Sequence, residues 1–400
     1  MWRFKKPYFV KTTKDRRIYL DYASATPIVS EAQKALISAL RIYANPGAIH
    51  SEGVVARRAL ASARERIAAH LGCKAREVIF ASGLTEANAI AIVGAARALL
   101  LQRRTLKGTH WIVSSIEHSS VLECFAEVER MGGSVTHVDP DPSGIISPQR
   151  ILSALKQGTV FVSVGWGNNE IGIIQPLSEI ARSIREHEKK HDSIVLFHSD
   201  AGQAPLYLKT QVHSLGVDMF SLGSGKLYGP RGIGALYLRN RAELAPIVFG
   251  GGQERGLRSG TEDPVLAIGF AEAYDAIAKE RESEARRLRD LRDALAHGIM
   301  EKIPGVVVNG NLKHAMPHML NISIPGERSG EYLVLALDAK GIALSTKSAC
   351  REGEAISHVV GALGGDPWRA KNTLRFSLGR DTTARDLKRI IMTLEELLRP

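Results

Sequence analysis

The chain is poor in cysteine: its 400 residues hold only Cys73, Cys124 and Cys350. So sparse and odd a set argues against a disulfide framework and points to a reducing, cytoplasmic setting, with at least one thiol kept for its chemistry. Long apolar runs are missing too. No uncharged apolar stretch reaches the roughly 18 residues of a membrane span, so no membrane association is expected. The start, Met1-Trp2-Arg3-Phe4-Lys5-Lys6-Pro7, is basic but leads into no apolar region, so no secretory signal is expected. Internal repeats and low-complexity segments are absent. Acidic residues are outnumbered, 42 against 53 Lys and Arg, for a formal net charge of +11, which raises the question of nucleic-acid binding. The basic residues, however, are spread over amphipathic helices, as in Arg57-Arg58 and Arg286-Arg287, and no nucleic-acid-binding motif accompanies them. Direct, specific nucleic-acid binding is therefore not expected; acidic partner proteins or small anionic ligands account for the charge.

The apolar share of 44% is ample for large cores, and the length suggests two to three domains. Residues 1–18 read as a basic, irregular arm. Beyond it, Ser30 is expected to cap a helix over Glu31–Arg41, and a second helix covers Val54 to His70. Strand-like runs then alternate with amphipathic helices. The strands are Val78–Phe80, Trp111–Val113, Val135–Val138, Val160–Val164, Ile194–Phe197 and Val217–Phe220; the helices include Glu86–Leu101, Val121–Met131 and Leu177–Lys189. Such alternation predicts an α/β fold with a mostly parallel sheet covered on both faces, whose ligands gather at the carboxyl ends of the strands. A long helix from Pro264 to about Ile299 links to a smaller C-terminal unit containing Val306–Val308, Leu320–Ile324 and helices over Gly330–Lys340 and Ala384–Leu398. The expected division is 19–265 and 266–400, with residues 19–26 able to pack with the small unit.

Two strand ends carry the chemistry. Ile194–Phe197 ends in His198-Ser199-Asp200-Ala201-Gly202-Gln203, and Val217–Phe220 ends in Ser221-Leu222-Gly223-Ser224-Gly225-Lys226. A lysine and a carboxylate from neighbouring strand ends suit pyridoxal phosphate (PLP): the lysine forms a Schiff base with the aldehyde, and Asp200 keeps the ring nitrogen protonated. A surface lysine in a glycine-rich hairpin is the plain alternative. The turn Ser82-Gly83-Leu84-Thr85 before a helix offers free backbone N–H groups and a hydroxyl for a phosphate, although an ordinary helix cap would look the same. No metal site is expected.

Separated motifs in one order make a stronger case. They are Leu20-Asp21-Tyr22 through Thr26-Pro27, Asn45-Pro46 with His50, Ser82–Glu86, Glu117-His118, Asn168–Gly172, Asp200 with Gln203, Lys226, Gly250–Thr261, Ser348-Ala349-Cys350 and Leu374–Arg380. From Tyr19 to the carboxyl end, the chain resembles the cysteine desulfurases, a class-V-aminotransferase-like branch of the fold-type I PLP enzymes. The resemblance implies a large PLP-binding domain with a smaller C-terminal one. It implies that Leu84 and Thr85 sit at the phosphate, where the displaced hydroxyl of Ser224 is expected to help, with Thr261 reaching in from the partner subunit of a homodimer. His118 would stack on the ring and move protons, with Asn169 and Gln203 as polar neighbours. Arg375, assisted by Asn45, would grip the substrate carboxylate. Cys350, flanked by Lys347 and Arg351, which favour a thiolate, and by the opposing Glu352 and Glu354, would take sulfur from L-cysteine as a persulfide, releasing L-alanine. Acceptor proteins, such as an iron–sulfur scaffold or a tRNA-thiolation protein, would receive it. Cys73 and Cys124 read as structural.

The chain departs from the family where Ser-Gly-His-Lys is usual. Here the residues are Gly223-Ser224-Gly225-Lys226, leaving Ser224 as a displaced hydroxyl; Lys347 replaces the usual Gly before Ser-Ala-Cys. Alternative readings stay open: a selenocysteine or cysteine lyase, another enzyme on this scaffold such as a small-amino-acid aminotransferase, or a scaffold that has lost PLP and binds acceptor proteins or RNA.

Overall fold

The computed structural model describes residues 16–347 and 356–399; Cys350 and the arm up to residue 15 lie outside the described residues. Twelve strands are named in chain order: β1 (Ile18–Tyr19), β2 (Val78–Ala81), β3 (His110–Ser114), β4 (Ser134–Val138), β5 (Thr159–Ser163), β6 (Leu196–Asp200), β7 (Met219–Gly223), β8 (Gly234–Leu238), β9 (Val307–Val308), β10 (Met319–Ser323), β11 (Ile342–Ala343) and β12 (Thr373–Ser377).

Seven of them form the large sheet, in the order β2-β8-β7-β6-β5-β3-β4. All run the same way except β8, which pairs antiparallel with both β2 and β7. Sequence reading missed β8, because Gly234-Ala235-Leu236-Tyr237-Leu238 follows the glycine-rich turn and has no polar alternation. It is buried on both faces, as a central strand must be. The two faces carry separate cores, one built around Ile112, Val162, Phe197 and Phe220, the other around Trp111, Val113, Phe125 and Phe161.

Helix boundaries follow from local chemistry. Helix Ser51–Leu71 starts where the His50 side chain accepts from the Gly53 N–H, and it ends at Gly72, whose φ of 66° is the left-handed stop. Helix Ser30–Ala39 corrects the expected cap: Val29 is its N-cap, and the Ser30 hydroxyl donates to Glu31 instead. Helix Leu84–Arg103 is, among the described helices, the one long and apolar enough to cross a membrane. Here Ile90, Ala91 and Ala95 are buried, and the helix packs on β7 and β8 as a core helix. The long helix runs Pro264–Lys302, with Pro at its first turn and Asp263 accepting from the Val265 and Leu266 N–H groups.

The two ends of the chain meet. β1 pairs in parallel with β11, Asp21 bridges to Ser377, and the Leu20 carbonyl accepts from the Ser377 N–H at 2.8 Å. Arg16, within the stretch expected to be irregular, donates to the Asp386 carboxylate at 2.8 Å. The β12-β10-β9 sheet completes this part. Residues 19–26 are therefore drawn between the small sheet and the large one, immediately beside the ends of β6 and β7.

Candidate active site

At the carboxyl ends of β2, β3, β5, β6 and β7 lies a cleft of about 200 Å³, lined by backbone and side chains of those loops together with Ala23, Ser24 and Arg375. Eight of the residues singled out from sequence line it: Leu84, Thr85, His118, Asn169, Asp200, Gln203, Lys226 and Arg375.

Strand pairing sets the first two groups. β6 and β7 are adjacent and parallel, with Asp200 opposite Ser221. Asp200 is the last residue of β6, and Lys226 follows β7 in a single 3-10 turn, Ser224–Lys226. The Asp200 carboxylate accepts from Asn88 Nδ2 at 2.7 Å and from the Gly202 N–H at 2.8 Å. Asn88 was not foreseen, although an Asn in an otherwise apolar helix, one turn after Thr85, was a usable signal. The Lys226 ammonium donates to the carbonyls of Ala23 and Ser24 at 2.8 and 2.7 Å. Gln203 Nε2 donates to the same Ala23 carbonyl at 2.8 Å.

His118 caps helix Ser119–Arg130: its Nδ1 accepts from the Ser120 N–H at 3.1 Å, so that nitrogen carries no proton. The neighbouring Glu117 is buried, and its Oε1 accepts from the Gly165 N–H at 2.7 Å. Burial, with repulsion from Asp200 adding to it, pushes its carboxyl up to about 8. Sequence reading quoted Glu117 but gave it no role.

Arg375, in the middle of β12, is 1% exposed and densely bonded. Its Nη1 donates to the Asn169 carbonyl at 2.9 Å; its Nη2 donates to Asp21 Oδ1 at 2.8 Å and to Ser24 Oγ at 2.7 Å. The segments flanking residues 348–355 are fixed to this same wall. Ser345 exchanges backbone hydrogen bonds with Arg375 at 2.7 and 3.4 Å. On the far side, Ser357 donates to Glu170 Oε2 at 2.6 Å, and His358 Nε2 lies 3.1 Å from the Glu117 carbonyl.

The remaining expected residues are not in this cleft. Ser224 is wholly buried with its hydroxyl turned against Gly229, and that oxygen has no partner among the described residues, so it does not stand in for a missing phosphate ligand. Asn45 lines a different groove with Gly47, Arg57, Gln253 and Glu262, and its Oδ1 accepts from the Gly47 N–H at 2.8 Å. Within its own chain it is therefore not beside Arg375. Thr261 is exposed and also outside the cleft. Burial raises Cys73 and Cys124 to about 12, which suits their structural reading.

The cleft fits PLP in most respects. Two buried polar atoms that line it, Gln203 Oε1 and Arg375 Nε, have no hydrogen-bond partner among the described residues, as expected of a site built for a polar ligand. Helix Leu84–Arg103 begins without a side-chain cap, and a Cβ on Gly83 would meet nothing within 4 Å, so the helix start is open to an anion. The glycine at 223 has a local cause: a Cβ there would come within 3.0 Å of Leu84 Cβ. Leu84 fills the space that a serine would use. At Gly225 a Cβ would meet the stem of Arg231 first, at 3.2 Å.

Comparison with known proteins gives the same direction. The family model described as aminotransferase class-V matches residues 18–390. The chain is 37% identical over 385 residues to a protein named cysteine desulfurase IscS from Dictyoglomus turgidum, covering 96% of this chain and 95% of that one. A solved structure described as a NifS-like protein is similar with a TM-score of 0.87 at 30% identity, covering 96% of this chain and 99% of the other. A second, SspA in complex with cysteine, is similar with a TM-score of 0.78 at 32% identity, covering 90% and 98%. With the match spanning nearly the whole chain, this protein belongs to the class-V aminotransferase family, among the cysteine desulfurases.

Proposed function

We propose that the protein is a PLP-dependent cysteine desulfurase that converts L-cysteine to L-alanine and passes the sulfur, as a persulfide on Cys350, to an acceptor protein. The observation that carries this reading is the convergence of Lys226, Asp200, His118 and Arg375 on one cleft at the strand ends. PLP, when bound, supplies the electron sink that lets the substrate's Cα proton leave and its Cβ–S bond weaken.

The chain's own groups do the rest. Lys226 would hold the cofactor through its amine and serve as a base. Asp200, fixed by Asn88 and Gly202, would keep the ring nitrogen protonated. His118, with Nδ1 committed to its helix cap, presents Nε2 as the nitrogen that moves a proton. The helix start at Leu84 and Thr85 would hold the phosphate, and Arg375 the substrate carboxylate. The Cys350 thiolate attacks the substrate sulfur; an S–S bond forms, the Cβ–S bond breaks, and protonation of the carbon skeleton gives L-alanine.

Three finer statements belong to this proposal. The first is a homodimer: Tyr43, Ile49 and Phe249 are 82%, 93% and 69% exposed, and residues 45–47 share a groove with Gly252 and Gln253. Exposed apolar side chains on the segments that flank this groove suit burial against a second copy of the chain. The second is a cytoplasmic location, supported by free Cys73 and Cys124. The division at residues 265 and 266 is proposed on the course of the long helix.

The test is direct. The purified protein, supplied with PLP and a reductant, should release sulfide and L-alanine from L-cysteine in equal amounts and elute as a dimer. Absence of alanine from a protein that has bound PLP would overturn the desulfurase reading.

A further inference from the structure

The carboxylate grip is already occupied by another carboxylate. A guanidinium has five N–H groups, and its planar fork offers two edges with parallel N–H bonds. One edge uses Nε with Nη2, the other Nη1 with Nη2. Both therefore need Nη2. In this protein the two Nη2 hydrogens go to Asp21 Oδ1 at 2.8 Å and Ser24 Oγ at 2.7 Å. Nη1 gives one hydrogen to the Asn169 carbonyl, and Nε, buried, has no partner among the described residues. No second carboxylate can take two parallel bonds from Arg375 while both Nη2 partners stay.

We propose that Asp21 is an internal competitor for the substrate's carboxylate: L-cysteine displaces it from Arg375 Nη2, and Asp21 thereby sets the affinity for the amino acid. The inference rests on the reading of Arg375 as the carboxylate grip. Asp21 is the partner suited to leave. Its side chain is 21% exposed against 1% for Arg375, and its carboxylate has a second donor in the Ser24 hydroxyl at 2.9 Å. The exchange swaps one carboxylate for another, so the guanidinium stays neutralised. It also gains a bond, because a carboxylate bridging Nε and Nη2 supplies the acceptor that Nε lacks. An incoming amine without a carboxylate has nothing to exchange and leaves the Asp21–Arg375 pair closed.

The experiment measures binding as well as turnover. L-alanine, the product without a reactive thiol, is titrated into PLP-loaded wild type, Asp21→Asn and Asp21→Ala by calorimetry, beside KM for L-cysteine. Removing the competing charge should lower the L-alanine Kd by about fivefold or more, since a charge-assisted bond is roughly twice as strong as a neutral one, and lower KM in parallel with a smaller change in kcat. A Kd that rises or stays level in both variants overturns the proposal and makes Asp21 a holder of Arg375 instead. The underlying reading has its own arm: Arg375→Lys cannot make two parallel bonds, so its L-alanine Kd must rise. If it does not, Arg375 is not the grip, whatever Asp21 does.

Discussion

The sheet side of the cleft places its groups with backbone. Lys226 and Asp200 stand where adjacent parallel strands end, and beside them the helix start at Leu84 has no side-chain cap and packs against Gly223. The opposite side is held by side chains from distant parts of the sequence: Arg375 to Asp21, Ser24 and Asn169; Ser357 to Glu170; His358 to Glu117. A wall fixed by strand register keeps its geometry when a side chain is lost. A wall fixed by interlocking hydrogen bonds does not, because each lost partner leaves a buried polar group unpaired. The glycines at 223 and 225 are thus tolerable departures on the first wall, and the same economy on the second would be costly.

The comparison breaks most visibly at Lys226, whose amine on the sheet wall cannot be replaced by backbone. Lys226→Ala should cut alanine formation by at least about a thousandfold, the order seen when a reacting group is removed. Borohydride treatment should fix PLP to the wild-type chain and not to the variant, read by intact mass. A PLP adduct on the variant in the same yield, carried by another amine, would remove Lys226 from its role. Next in size is Cys350→Ser. A hydroxyl is far less acidic than a thiol and cannot hold a persulfide, so alanine formation should fall by about a hundredfold or more while PLP stays bound. Its polar sequence context predicts a stability change within about 0.5 kcal/mol. Wild-type alanine release by this variant would favour a lyase that expels sulfur directly.

Much of the sheet wall was legible in the sequence, because a strand end followed by a glycine-rich turn has a local signature. Asp200, Lys226, Leu84 and Thr85 belong to such turns, and all four line the cleft. The misreadings are of two kinds. Ser224, the displaced hydroxyl of the Gly-Ser-Gly-Lys turn, is expected at the phosphate, but in the 3-10 turn its side chain faces Gly229 and away from the cleft. Asp21, Asn88 and Glu117 went unassigned because their partners are 354, 112 and 48 residues away. Sequence shows the residue types in such a network, not which of them meet. Strand β8 was missed for a related reason: a central strand buried on both faces carries no alternating pattern.

Gly225 offers a way to sharpen the contrast. If the sheet wall only loses affinity by lacking side chains, returning one should restore it. Gly225→His places an imidazole beside Lys226, where a charge-assisted bond to the phosphate should tighten PLP binding by about tenfold. The one close neighbour is the exposed Arg231 stem, which can give way. PLP release measured by dialysis or by fluorescence quenching checks this. Unchanged affinity would mean that the helix start already supplies all that the phosphate needs.

The last effect, on stability instead of turnover, tests where the two walls touch, at Glu117. Burial, with Asp200 adding repulsion, pushes its carboxyl from an ordinary 4.5 up to about 8. Between those values the folded protein keeps a proton that the unfolded chain has released, so the folded state binds more protons and stability is lost as pH rises through the window. Each pH unit costs the wild type up to about 1.4 kcal/mol from this group. Glu117→Gln keeps the shape and an acceptor for the Gly165 N–H but cannot titrate. Thermal unfolding of the PLP-free protein from pH 5 to 9 should therefore show the variant gaining on the wild type as pH rises, with the gap levelling off above pH 8. A gap independent of pH would mean that Glu117 is already ionised beneath the cleft. Asp200 would then face the ring nitrogen beside a second negative charge, and the proton on that nitrogen would be held by two carboxylates instead of one.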